Sequence, residues 1–234
     1  MHLSPPHLTI ALYADVPEED SFAGLCAAAL SKGCVSDGVV EMAPWDAGFE
    51  LSSLVGRTWP RSGTDPSRQY AEGRIVEAVL SVKRYGPVVA TYQYAPPGER
   101  HPVHLTMSAR ALGWPDELLS KQDRHAAAAM AAWTRSLLEE ACRRCDPAYA
   151  GIGVEFWLPT PSQLAGDQLP SEVYVSRRLL PADLAACFEG GQIVQWEHGV
   201  FHSGCAPFIR RTLPDLQARL RRASRSLAKA LGRR

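Results

Sequence analysis

The spacing of apolar positions changes repeatedly along this 234-residue chain, and each change marks an element. Residues 8–13 (Leu-Thr-Ile-Ala-Leu-Tyr) form a short apolar run that predicts a buried strand. From 18 to 31 the period becomes helical. Phe22, Leu25, Cys26, Ala29 and Leu30 share one face, and Gly33 stands where a C-cap would be. Residues 39–42 predict a short strand. Between 44 and 69, Trp45, Gly48, Gly56, Trp59, Pro60, Gly63 and Pro66 interrupt every period, which predicts a long connection of the kind that often carries function. Residues 74–84, 88–94 and 103–108 are rich in β-branched and aromatic side chains. Gly86-Pro87 and Pro96-Pro97-Gly98 separate them, so three strands of an antiparallel meander are expected.

The clearest helix runs over 121–145. Ser120 and Asp123 form a start resembling a capping box, and Ala126, Met130, Trp133, Leu137, Ala141 and Cys145 recur every three or four residues. Asp146-Pro147 ends it, because the residue before a proline avoids the helical region. Strands follow over 152–158 and 172–180, where Val173 and Val175 alternate with polar residues. Short helices are expected between Pro161 and Gly166 and over 181–188, the latter closed by Gly190-Gly191. Residues 193–196 and 200–203 pair as a hairpin across Glu197-His198-Gly199. In the last segment, 212–231, Leu213, Leu216, Leu220, Ala223, Leu227 and Ala230 make an apolar stripe. The expected class is α+β: a mainly antiparallel sheet with helices packed on one face, plus a C-terminal amphipathic helix. Residues 1–209 are expected to form a single domain and 210–234 a basic helix.

Composition sharpens this outline in two places. At 46% hydrophobic and 21% charged, the chain has the content of a folded domain and lacks the bias of a disordered one. Its formal net charge of zero conceals an asymmetry. Residues 210–234 carry nine basic and one acidic side chain, whereas the other 209 residues carry 16 basic and 24 acidic ones. No window approaches the roughly 20 apolar residues of a membrane span, and the start of the chain has no basic leader, so a cytoplasmic location is expected. Cys26, Cys34, Cys142, Cys145, Cys187 and Cys205 are then expected to be thiols.

Candidate chemistry is sparse. His198, His202 and Cys205 form a His-x3-His-x2-Cys spacing that zinc could use, although a hairpin there need not make the two rings converge. Cys142-x-x-Cys145 lies at a helix C-terminus, the wrong end for lowering a thiol pKa, and suits a structural role. His101 and His104 are three apart on an extended chain and should face opposite ways. There is no Gly-x-Ser-x-Gly elbow, no His-Glu-x-x-His and no glycine-rich phosphate loop, so no cofactor is expected and an enzymatic role is not favoured.

The C-terminal helix leaves three uses open. Arg219, Arg221, Arg222, Arg225 and Lys229 could contact phosphates of a nucleic acid, lie against an anionic membrane, or stay solvated or paired while the leucine stripe docks on the acidic body or on a partner. Docking is the expectation.

Three stretches carry a family resemblance: residues 145–152 (Cys-Asp-Pro-Ala-Tyr-Ala-Gly-Ile), 172–181 (Glu-Val-Tyr-Val-Ser-Arg-Arg-Leu-Leu-Pro) and 190–199 (Gly-Gly-Gln-Ile-Val-Gln-Trp-Glu-His-Gly). With the element order over 8–203, this resembles the layout of small immunity proteins found in bacterial polymorphic-toxin and secretion-system gene clusters. The basic tail beyond Arg210 lies outside the pattern. The resemblance implies a non-enzymatic inhibitor that occludes a cognate toxin or effector. An acidic body suits a basic partner, with Trp45, Trp59, Trp114 and Trp157 as candidate anchors. The rival functions are nucleic-acid association through the basic helix and a metal-dependent enzyme built on His198, His202 and Cys205.

Overall fold

The computed structural model describes residues 5–112, 121–167, 169–170, 172–179, 192–203 and 214–232. Ten strands join in one sheet: β1 (His7–Tyr13), β2 (Val35–Ala43), β3 (Trp59–Arg61), β4 (Arg74–Val82), β5 (Gly86–Tyr92), β6 (Val103–Ser108), β7 (Tyr149–Val154), β8 (Glu172–Ser176), β9 (Gln192–Gln195) and β10 (Gly199–Ser203). Their order is β3-β2-β4-β5-β6-β1-β7-β8-β10-β9, with every pair antiparallel. Among the described residues the α-helices are α1 (Glu18–Ser31), α2 (Leu51–Leu54), α3 (Lys121–Cys145) and α4 (Pro214–Leu231). No described helix is long and apolar enough to cross a membrane.

The meander expected over 74–108 is present as β4-β5-β6. Helix α1 begins after Pro17 with Glu18, Glu19 and Asp20 in its first turn, where carboxylates meet the positive end of the helix dipole. Helix α3 stops at Cys145, and Asp146 turns the chain at φ 40° while its N–H donates to the Cys142 carbonyl at 3.0 Å. The stretch from 44 to 69 contains α2 and the three-residue edge strand β3, whose Pro60 is tolerated because an edge strand leaves one side unpaired. Buried Arg74 anchors this stretch: it donates to the Ala47 carbonyl and stacks 3.8 Å from the Phe49 ring centre. The expected helix over 181–188, Ser120 of the α3 start, and both Cys187 and Cys205 lie outside the described residues.

Paired residues in an antiparallel ladder share a face, so rows can be followed across the sheet. One row reads Ala78, Ala90, Leu105, Ile10, Ile152, Glu172, Ser203 and Gln192. Its apolar members are 0–1% exposed and lie in the main core with Leu8, Leu12, Phe22, Leu25, Met130, Leu137 and Leu138, so α1 and α3 cover this first face. Gly24 fits the crossing of these two helices: a Cβ there would collide with Cys145 Sγ. The four described cysteines, Cys26, Cys34, Cys142 and Cys145, are free and buried. Burial pushes Cys145 up to about 12 and Cys34 to about 11, so the Cys142-x-x-Cys145 pair packs as an apolar wedge.

Helix α4 lies on the second face. Leu220, Ala223 and Leu227 join Ala11, Tyr13, Tyr149, Val173, Val175, Leu158, Leu164 and Leu169 in a separate core. Ser224 Oγ ties the helix in, accepting from Leu169 N–H at 2.8 Å and donating to the Leu220 carbonyl at 3.0 Å. Burying each leucine here contributes roughly 1.5–3 kcal/mol.

Candidate functional site: the open half of the second face

The second-face row next to the one described above reads Glu41, Glu77, Thr91, His104, Ala11, Gly151, Val173, His202 and Ile193. From Ala11 to His202 it is covered and buried. From Glu41 to Thr91 it is only half-buried, as are Val79 and Thr106 of the neighbouring row Val79, Val89, Thr106, Thr9 and Gly153. Helix α4 therefore covers the β1-β7-β8 half of this face, and among the described residues the β2-β4-β5-β6 half is the more open one, with Leu54 of α2 packed on Ala43, Ala47 and Val76 in a small separate cluster. Glu41 and Glu77 are directly opposite each other in that open half. Neither forms an ion pair among the described residues. Two carboxylates facing each other across a ladder repel, at a cost of a few tenths to about 1 kcal/mol.

At the border between the halves stands His104, 8% exposed, with its Nδ1 buried and without a hydrogen-bond partner. Burial alone lowers its pKa to about 4, so the ring is neutral at pH 7. Trp157 meets it edge-on with ring centres 6.1 Å apart, while remaining 66% exposed. The Trp157 segment is held to the β5-β6 connection. Leu158 N–H donates to Gln93 Oε1 at 2.9 Å, and Glu99 accepts from the hydroxyls of Thr160 and Ser162 at 2.5 and 2.7 Å. Tyr94, 61% exposed, adjoins the same tie. The open half thus combines an unneutralised acidic pair, a band of valines and threonines, and an aromatic wall.

The four tryptophans singled out from the sequence do not converge. Trp157 stands over β6. Trp59 lies in β3, four strand positions or roughly 19 Å away, and packs partly buried on the main core. Trp45 is 44% exposed and its indole N–H donates to the Ala71 carbonyl at 3.1 Å. Trp114 lies outside the described residues. Of the basic residues of α4, Arg219 is half-buried, and Arg221, Arg222, Arg225 and Lys229 are exposed. These four form no ion pair with a described carboxylate.

His198 and His202 are on different sides of the sheet. His202 lies in the second-face row, buried, with its pKa lowered to about 4 by desolvation. His198 lies in the β9-β10 turn, where Nε2 is 3.6 Å from Glu197 and the ring faces a cleft against α3. Cys205 is outside the described residues, among which no group of three His, Cys, Asp or Glu side chains could hold a metal ion. His101 and His104 diverge as expected. The former rests on Phe49 and lies 3.6 Å from Glu18, and the latter is on the second face.

Sequence patterns overlooked two groups. One is Glu41 and Glu77, whose place on a shared face depends on register. The other is the Arg135–Glu172–Ser203 network. Glu172 is fully buried, accepts from Arg135 Nε at 3.1 Å and from Ser203 Oγ at 2.7 Å, and Arg135 Nη2 also reaches Ser203 Oγ at 2.9 Å. This is a satisfied charge pair beneath α3.

No protein-family model matches the chain, and no curated protein matches it. Among solved structures, it is similar to the Pseudomonas aeruginosa T6SS protein PA0821, with 13% identity and a TM-score of 0.45 over 94% of this chain and 72% of that one.

Proposed function

We propose that this chain is a non-enzymatic binding protein of the immunity type, which occludes a basic toxin or effector with the open half of its second sheet face. The supporting observation is the Glu41–Glu77 pair. Two carboxylates set opposite each other without a cation weaken the free protein, and a positively charged partner would turn that cost into attraction. Four strands at about 4.8 Å spacing and some seven residues of about 3.3 Å give a face of roughly 440 Å². This is about half of the roughly 800 Å² per partner of a specific interface, and the Trp157 wall extends it. Trp157 supplies a rigid aromatic at the rim.

The test is co-expression with the products of adjacent genes. A stoichiometric complex with a basic product is expected, and the double substitution Glu41→Lys/Glu77→Lys should weaken it at least about 100-fold, some 3 kcal/mol, while circular dichroism stays unchanged. Absence of a complex with every neighbour, or full affinity of the double variant, would overturn the proposal.

A second function has its own observation. Arg221, Arg222, Arg225 and Lys229 line α4 without described carboxylate partners, as a phosphate-binding helix would require. Replacing all four with Gln should abolish a low-salt gel shift with duplex DNA or RNA if that function holds. A native chain that gives no shift excludes it.

A further inference from the structure

The second face is stepped. Helix α4, about 10 Å across with its side chains, stands on the β1-β7-β8 half. Beside it, the rows from Glu41 and Glu77 outwards stay at the level of the strands. Val35 pairs with Ser81, which is four positions along β4 from Glu77 and therefore on the same face. Val35 is 65% exposed and Val79, between Glu77 and Ser81, is half-buried. Leu54 of α2 packs at the other end of these strands, on Ala43 and Val76.

Burial settles how α4 is turned. Leu220, Ala223, Ser224 and Leu227 are buried against the body, whereas Arg222, Arg225 and Lys229, spaced three and four apart, are exposed on the opposite side with Arg221 beside them. A line of cations thus points away from the sheet on the raised half. The recessed half carries the opposed carboxylates Glu41 and Glu77. Neither set is neutralised by an ion pair among the described residues. One face therefore holds a ridge and a recess of opposite charge, side by side.

We infer that this face is a self-complementary dimer surface, in which α4 of each copy seats in the open half of a second copy. Arg222, Arg225 and Lys229 then meet the Glu41–Glu77 pair across the interface, and the valines lie under the aliphatic stems of the arginines. The contact is isologous, so each dimer contains the charge match twice. The outer side of an 18-residue helix measures about 27 Å by 10 Å. Added to the open half, it gives each copy on the order of 700 Å², close to the roughly 800 Å² of a specific interface. The dimer shares the open half with the proposed function but requires no toxin. If both hold, a basic toxin must displace α4 of the second copy.

The test uses the purified full chain alone. In about 0.05 M NaCl, sedimentation between about 1 and 100 µM should show the 25.6 kDa monomer giving way to a species of twice that mass, with a Kd of about 1–10 µM. About 0.5 M NaCl should weaken the dimer at least tenfold. Glu41→Lys/Glu77→Lys and Arg222→Glu/Arg225→Glu/Lys229→Glu should each weaken it at least about 100-fold with unchanged circular dichroism. A chain carrying both sets should dimerise again, and mixing the two variants should give a heterodimer, because every contact then joins opposite charges. A native chain that stays monomeric at about 100 µM, a dimer indifferent to either reversal, or a combined variant that stays monomeric would overturn the inference. A monomeric native chain that binds a basic gene neighbour overturns the dimer alone, whereas a dimer without any toxin complex overturns the proposed function alone.

Discussion

The two halves of the second sheet face are crossed by the same rows of one sheet, yet only one is a core. Over β1, β7 and β8 the row passes through Ala11, Gly151 and Val173, small or apolar residues beneath Leu220, Ala223 and Leu227 of α4. Over β2, β4 and β5 the same row holds Glu41, Glu77 and Thr91, which are only half-buried. The difference shows what closes a sheet face. Alternation alone makes two sides, and a covering element settles which side becomes interior.

The sharpest way to break this comparison is to place a carboxylate in each half. Val173→Asp puts an unpaired charge beneath α4 and should cost more than about 4 kcal/mol, enough to abolish cooperative folding. Thr106→Asp, in the open half, should stay within about 1 kcal/mol, and a urea titration of both variants separates the two cases. Leu227→Ala is next in size. It should cost about 3 kcal/mol in thermal or urea unfolding, because a fully buried leucine leaves a cavity.

The two neutral histidines sharpen the boundary through pH. His104 and His202 are depressed to about 4 by burial, whereas an unfolded histidine titrates near 6.5. Between those values the unfolded chain binds more protons, so the stabilising contribution is complete above about pH 6.5 and is lost as pH falls towards 4. Each ring contributes up to about 3 kcal/mol to that loss. The slope of stability against pH over this window should flatten in His104→Gln and in His202→Gln. The smallest effect is expected at Glu77→Gln, which removes the repulsion with Glu41 and should raise stability by a few tenths of a kcal/mol, the opposite sign from most substitutions.

Much of the framework was legible because it depends on local signals. The turns at Gly86-Pro87 and Pro96-Pro97-Gly98 separate β4, β5 and β6 as anticipated, and α3 spans the residues its apolar spacing marked. The hairpin of β9 and β10 turns where Glu197-His198-Gly199 suggested. Other parts were hidden. Strand β2 begins at Val35, four residues before the expected start, because its pairing with β4 carries irregular register through Asp37-Gly38, which reads locally as a turn. Strand β3 forms inside a stretch full of glycine and proline because β2 offers an edge. Glu172 and Ser176 read as the solvent side of an alternating strand, yet both are buried, since α3 lies over them and Arg135 neutralises the glutamate.

The candidate sites were less legible still. Glu41 and Glu77 are far apart in sequence and meet only through strand register. Taken alone, the sequence determined the elements, the antiparallel character of the sheet, the acidic body with its basic tail, and the apolar stripe of the last helix, because each follows from residues a few positions apart. Tertiary structure decided which face that helix covers and which carboxylates face each other, because those depend on contacts between segments far apart in the chain.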